Sequence, residues 1–345
     1  MSEDGRPMLV ATDLIRVYPV RGTRQTLTAV AGVSLTLRSG ETLGIVGESG
    51  CGKSTLARLL VRLEDPTSGR IELDGVDVTA LGHGALAGFR GRVQLVFQDP
   101  YASLNPRITV GRTLEEVLTV HRLGSRDARH RRVGELLDMV GLAERFAGRY
   151  PHQLSGGQRQ RVGIARALAV EPDVIVLDEP LSALDVSVQS GIMNLLTELR
   201  DELGVAYVFI SHDLGMVRHI SNRIAVMYLG RVVELGQWEP VSDNPLHPYT
   251  RALQQAVPIA DPAVEATREV ETLVGEVPDP ADPPPGCPFH PRCRLAEDVC
   301  RKVRPELVEA HKTHEVACHV AVREAGVSAD QILLSSRQTD GHPTT

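Results

Sequence analysis

The run Gly47-Glu48-Ser49-Gly50-Cys51-Gly52-Lys53-Ser54, followed by Thr55, has the spacing G-x-x-x-x-G-K-S. Its glycines let successive backbone N–H groups turn inward around an anion, and a following helix would add its N-terminal dipole. Lys53 supplies charge for the terminal phosphates of a nucleotide, and the Ser54 hydroxyl suits Mg²⁺. A second group is Asp178-Glu179, closing the apolar run Val174-Ile175-Val176-Leu177. Asp178 is placed to hold Mg²⁺, and Glu179 to polarise a water for attack on a γ-phosphate. A third is Leu154-Ser155-Gly156-Gly157-Gln158. Ser155 is an N-cap residue type, and two glycines expose amides to an anion.

These residues need elements to position them. Three apolar runs, Thr42–Val46, 174–177 and 207–210, read as buried parallel strands, each ending in polar or glycine residues. Ligands of open parallel sheets bind at the carboxyl ends of strands, so the three ends are expected to converge. Leu56, Leu59, Leu60 and Leu63 follow the first cluster at helical spacing. Residues 112–150 lack strand signals and read as a helical insert. Two short apolar runs around Leu229-Gly230 suggest a hairpin. Nine of the chain's 22 prolines lie between Pro258 and Pro291, which marks an extended connector.

The chain has 345 residues, of which 42% are hydrophobic and 23% charged, in the range of a globular protein with two or three domains. A net charge of −7 gives no chain-wide basic field for nucleic acid. Arg122, Arg126, Arg129, Arg131 and Arg132 read as a solvated helix face, because no aromatic platform is interleaved with them. The acidic start Met1 to Gly5 does not read as a secretory signal, and no apolar run approaches the ~18 residues of a membrane span. The expectation is a cytosolic chain, free to sit on a membrane protein.

Four cysteines gather near the C-terminus, Cys287, Cys293, Cys300 and Cys318, with spacing C-x5-C-x6-C-x17-C. No short C-x2–4-C zinc knuckle occurs among them. Four thiolates could hold a [4Fe–4S] cluster, zinc is the alternative, and four free thiols are the third reading. His290, His314 and His319 are further ligand types in reach along the sequence. The module is expected to need a staple, and the proline connector to keep it apart from Lys53 and its loop. Cys51 stands alone and is expected to ligate nothing.

Together, the glycine-rich loop, Leu154-Ser155-Gly156-Gly157-Gln158, Asp178-Glu179 and the later His212 resemble the ATP-binding cassette family. The resemblance implies an α/β fold. Its parts are a P-loop cassette with a parallel-sheet core, a small antiparallel β subdomain and a helical subdomain. By the same resemblance, Tyr18 stacks on adenine, and Gln98 touches Mg²⁺ and the attacking water. Asp185, in Ser182-Ala183-Leu184-Asp185, reports across a dimer interface, and His212 contacts the γ-phosphate. The signature segment of one cassette covers the nucleotide of another, so two cassettes are needed for hydrolysis.

A narrower match is carried by Gln98-Asp99-Pro100-Tyr101-Ala102-Ser103-Leu104-Asn105-Pro106-Arg107, Leu246-His247-Pro248-Tyr249-Thr250 and Cys287-Pro288-Phe289-His290-Pro291-Arg292-Cys293. These resemble the ATPase subunits of dipeptide and oligopeptide importers, the second or F-type subunit most. Some of those ATPases carry an iron–sulfur cluster. The implied organisation is a tail at 1–7, a cassette at 8–257 with its helical subdomain at about 100–170, a connector and four-cysteine module at 258–322, and a polar tail at 323–345. The implied cofactors are ATP and Mg²⁺. The implied partners are a second ATPase subunit, a paralogue or a second copy of this chain, two membrane permease subunits and an extracytoplasmic solute-binding protein, with this chain peripheral on the cytoplasmic face. Importers of nickel chelates or glutathione belong to the same subgroup. Cassette ATPases of repair or translation, which carry a long coiled-coil insert or two cassettes, fit less well, as does a metal-sensing protein with a vestigial site.

Overall fold

The computed structural model describes residues 7–20, 22, 25–99, 103–257 and 275–327. The chain forms two compact units. The described parts of the first fall within Met1–Thr12, Ser34–Leu43 and Ser54–Ser211, and those of the second within Asp13–Val33, Gly44–Lys53 and His212–Thr345. Three strands, β1 (Leu9–Pro19), β2 (Thr26–Leu37) and β3 (Thr42–Val46), give residues to both units.

In the first unit, α1 (Lys53–Leu60) leads into the antiparallel pair β4 (Ser68–Leu73) and β5 (Val76–Asp77). Then come α2 (His83–Arg92), β6 (Val93–Val96), α3 (Val110–Val120), α4 (Arg126–Met139) and α5 (Gly156–Leu168). The unit closes with β7 (Val174–Asp178), α6 (Val186–Leu203) and β8 (Ala206–Ser211). β6, β7 and β8 pair in parallel, with Val176 opposite both Leu95 and Val208. Every residue of β7 and β8 is buried, as continuous apolar runs covered on both faces must be. The segment read as a helical insert holds α3 and α4 and no strand among its described residues. Ser125 caps α4 by accepting from the Ala128 amide, and Gly204 ends α6 in the left-handed conformation.

In the second unit, α7 (Leu214–Ile220) precedes the hairpin β9 (Arg223–Tyr228) and β10 (Arg231–Gln237). Its two-residue turn is Leu229-Gly230, with φ of 43° and 77°, the left-handed pair that a tight hairpin demands. α8 (Trp238–Asp243) and α9 (Pro248–Gln255) follow. The C-terminal part contributes α10 (Asp298–Lys302), β11 (Val308–His311), β12 (His314–Val316) and α11 (His319–Glu324). Sheet order in this unit runs β11-β12-β10-β9, all antiparallel.

The cysteine-bearing segment is therefore no detached appendage: β12 hydrogen-bonds along β10, with Glu234 opposite Val316. It also has apolar mass of its own, where Val308, Ala310, Val316, Cys318, Val320, Ala321 and Val322 form one buried cluster. The expectations for Tyr101 and Ala102, the first half of the proline connector and the polar tail lie outside the described residues, except for its first residues, which include part of α11.

Candidate functional site

The phosphate-type loop of the second unit is shaped by two close approaches. A Cβ on Gly47 would lie 2.2 Å from the Met227 carbonyl oxygen, and one on Gly52 would lie 2.1 Å from that of Ala29. Gly52 also has φ of 103°, so no other residue type fits there without moving β2. The loop is fastened to the hairpin turn, where the Gly230 amide donates to the Cys51 carbonyl over 2.8 Å. Ser49 and Gly50 are exposed while Lys53 is buried. Lys53 Nζ donates to the carbonyls of Gly47 (2.7 Å) and Glu48 (3.0 Å). Burial raises the Cys51 thiol pKa against the pull of Lys53, so Cys51 is an unreactive filler.

In the first unit, Ser54 Oγ donates to Asp178 Oδ1 over 3.0 Å. Asp178 is the last residue of β7 and is buried. Glu179, one residue on, has φ of 46°, an unusual conformation for a side chain other than glycine, with its amide bonded to the Ile210 carbonyl at 3.0 Å. Gln98, just past β6, donates from Nε2 to Glu179 Oε2 over 3.1 Å. Four residues singled out in the sequence thus meet in two pairs, a hydroxyl with a carboxylate and an amide with a carboxylate.

Ser155 caps α5 in a reciprocal box: its Oγ accepts from the Gln158 amide, and Gln158 Oε1 accepts from the Ser155 amide. A Cβ on Gly157 would come within 2.4 Å of Val188 on α6, and one on Gly156 within 3.0 Å of Leu184. Asp185 caps α6, accepting from the Val188 amide (2.9 Å) and the Ser187 hydroxyl (2.7 Å). The Ser187 bond, ahead of the amide, lowers its pKa. In the second unit, His212 is exposed just after Ser211, and Tyr18 on β1 carries the Arg16 guanidinium 4.7 Å from its ring centre. Thr55 is half-buried on α1.

Cys287, Cys300 and Cys318 are buried, and Cys293 is half-buried. Burial first, then the other three thiols, pushes the Cys287 pKa up to about 12. Burial also raises Cys293 and Cys318. The Cys287 amide donates to the Cys300 carbonyl over 2.8 Å. Among the described residues, no group of three or more His, Cys, Asp and Glu is arranged to hold a single metal ion.

Two charged pairings of the second unit carry no motif in the sequence. Arg292 forks onto the Glu48 carboxylate at 2.7 and 3.0 Å. Glu234, fully buried on β10, accepts from the amides of Leu246 and His247, and His314 Nε2 lies 2.7 Å from its Oε1. The lone charge within Val232-Val233-Glu234-Leu235 was the signal available for Glu234. No local pattern announces a partner 244 residues away for Glu48.

A parallel β6-β7-β8 sheet ending in Asp178-Glu179, with a glycine loop opening α1, is the arrangement of a P-loop nucleotide-binding protein. Residues 30–182 match the family described as ABC transporter, and residues 233–300 match the oligopeptide/dipeptide transporter C-terminal region. The chain is 50% identical to the oligopeptide transport ATP-binding protein AppF of Bacillus subtilis, over 91% of this chain and 97% of that one. It is 47% identical to OppF of Escherichia coli, an oligopeptide transport ATP-binding protein, over 92% and 97%. A solved cassette dimer in a post-hydrolysis state, bound to ADP and Pi, superimposes with a TM-score of 0.61 at 35% identity, covering 67% of this chain and 99% of that one. The chain belongs to the ABC transporter family of ATP-binding proteins. Among the described residues, no helix is long and apolar enough to cross a membrane.

Proposed function

We propose that this chain is the ATP-hydrolysing, energy-coupling subunit of an importer of dipeptides or oligopeptides. It works as one of two cassettes on the cytoplasmic face of a membrane permease. The observation that carries the reading is the match over 233–300 to the peptide-transporter C-terminal region, joined to the cassette in one chain. Nickel chelates and glutathione are the alternative solutes. The second cassette is a paralogue, two permease subunits form the channel, and an extracytoplasmic binding protein delivers the peptide.

In this reading the amides of Gly47, Ser49, Gly50, Cys51, Gly52 and Thr55, with Lys53, hold the phosphates. Tyr18 stacks on adenine and His212 touches the γ-phosphate. Glu179 is the general base for the attacking water, turned toward its task by Gln98. Ser54, Asp178 and Gln98 fit Mg²⁺, since a hydroxyl and a carboxylate 3.0 Å apart are hard oxygen donors. When bound, Mg²⁺ would neutralise charge on the phosphates. Ser155, Gly156, Gly157 and Gln158 face the nucleotide of the second cassette, and Asp185 lies at that interface.

We propose a [4Fe–4S] cluster for Cys287, Cys293, Cys300 and Cys318, with Zn²⁺ as the alternative, either of which would draw together thiols that are not arranged for a single ion here. Burial raises the pKa of Cys287, Cys293 and Cys318, and such thiols gain from a cation that takes them as thiolates. Such a group would cross-link the turn at Cys287 to α10 and α11. Reconstitution with the co-purified permease in liposomes tests the function. Peptide uptake that requires ATP, and ATPase activity stimulated by the loaded binding protein, are expected. Turnover indifferent to membrane subunits and peptide would overturn the reading.

A further inference from the structure

Glu48 is held at three of its groups, each by a different part of the second unit. Its amide donates to Tyr249 Oη on α9 over 2.8 Å. Its carbonyl accepts from Lys53 Nζ at 3.0 Å and from the Cys51 amide at 3.3 Å. Its carboxylate takes both Nη atoms of Arg292, at 2.7 and 3.0 Å. Wherever Glu48 is set, the resting place of the Lys53 ammonium is set with it.

Arg292 comes from the turn between Cys287 and Cys293. That turn is tightly built: the Arg292 amide donates to the Phe289 carbonyl at 3.0 Å and the Cys293 amide to that of His290 at 3.3 Å. Phe289 is buried, edge-on to Tyr228 with ring centres 5.3 Å apart and 5.5 Å from that of Tyr249. Tyr249, the residue that holds the Glu48 amide, thus also packs on the turn that holds the Glu48 carboxylate. The Arg292 side chain is 6% exposed and that of Glu48 27%, so the pair is shielded enough for its fork geometry to be decisive.

The geometry points to Arg292 as a positioning residue for nucleotide. The cysteine-bearing turn holds the phosphate loop in its binding shape through the Arg292–Glu48 fork, so the order of that turn sets the affinity for ATP. The inference rests on the proposed phosphate role of the loop. It reverses the separation that the proline connector suggested. Arg292 touches neither phosphate nor Mg²⁺ in this scheme; it acts through Glu48 on Lys53. Burial of the Tyr228–Tyr249–Phe289 cluster makes the coupling stiff, because close-packed aromatic rings transmit a shift rather than absorb it.

The test uses the full-length chain, Mg²⁺ and a non-hydrolysable ATP analogue, with Kd measured by calorimetry. Arg292→Ala and Glu48→Ala should each weaken binding roughly ten-fold, and the double variant should be no weaker than the weaker single one. Arg292→Lys, which restores charge but not the fork, and Glu48→Gln, which keeps one acceptor, should fall between. In the assembled transporter the same variants should raise KM for ATP with kcat within about two-fold, the mark of lost uniform binding. Thermal unfolding runs alongside, and if either alanine variant fails to fold, the Lys and Gln variants carry the comparison. Additive losses, or unchanged Kd across a folded set, would overturn the inference. Lys53→Ala separates the two readings. If it leaves Kd unchanged, the phosphate role of the loop fails; if it weakens Kd while Arg292→Ala does not, only the fork fails.

Discussion

Gln98 Nε2 and Glu179 Oε2 are hydrogen-bonded at 3.1 Å in the first unit, so the carboxylate proposed as general base is aimed by an amide on the neighbouring strand's exit. The φ of 46° at Glu179 adds to this, since a side chain other than glycine is held there only when its surroundings over-determine it. Glu179→Gln should therefore keep nucleotide affinity and lower kcat of the assembled transporter by roughly a hundred-fold or more. Steady-state ATPase with a parallel binding assay checks it, and near-normal turnover would remove Glu179 from the role. Gln98→Ala should give a smaller kcat loss, because it removes one partner of the carboxylate and leaves the carboxylate itself in place.

The chemistry-bearing clusters were legible in the sequence because they are local. Gly47 to Ser54 carries its own turn, charge and helix start, and β7 announces itself by five buried residues in a row. The hairpin turn at Leu229-Gly230 was equally readable. What escaped is long-range: the Arg292–Glu48 fork and the seating of β12 along β10. Proline density marks where regular structure stops, but not where the chain goes next. A connector can return its cargo to the place it left, and this one returns Arg292 to the loop after β3.

Close contact between Gly157 and Val188 leaves no space for a methyl group, with a Cβ landing 2.4 Å from Val188 Cγ1. Gly157→Ala should destabilise the first unit by about 1–3 kcal/mol, as overpacking in a close-packed site does. Val188→Ala placed on top should recover a good part of it. Chemical denaturation of the single and double variants reads the difference. Equal stability of Gly157→Ala and the parent would show that α5 and α6 can slide apart freely.

His247 gives the protein an acid-sensitive joint. It is buried, its Nδ1 accepts from the Tyr249 amide at 3.0 Å, and burial lowers its pKa from 6.5 to about 4, with Glu234 pulling the other way. Between those values the unfolded chain binds a proton that the folded chain refuses, so unfolding takes up a proton and acid favours it. The contribution is fully present above about pH 6.5, falls as pH drops toward about 4, and is flat below, on the order of 3 kcal/mol in all. His247→Asn keeps a capping acceptor without a titrating group and should flatten this part of the stability–pH curve. An unchanged acid slope in the variant would assign the effect to other groups.

The four thiols offer the last test, because an inserted group would add a covalent tie to segments that already meet through the Cys287–Cys300 backbone bond and the Arg323–Glu297 ion pair. Protein purified without oxygen should be brown, with the broad visible absorbance of thiolate-bound iron and close to four irons per chain. Cys293→Ser should lose that colour. Because Cys293 adjoins Arg292, losing the cluster should also loosen the fork on Glu48, so oxidised or chelated protein should bind the ATP analogue several-fold more weakly, as Arg292→Ala does. Colourless anaerobic protein with one zinc per chain would replace the cluster with a zinc staple and leave the coupling to Glu48 in place. Iron loss that leaves nucleotide affinity untouched would instead cut the link, giving the turn an order that Phe289, Tyr228 and Tyr249 maintain by packing alone.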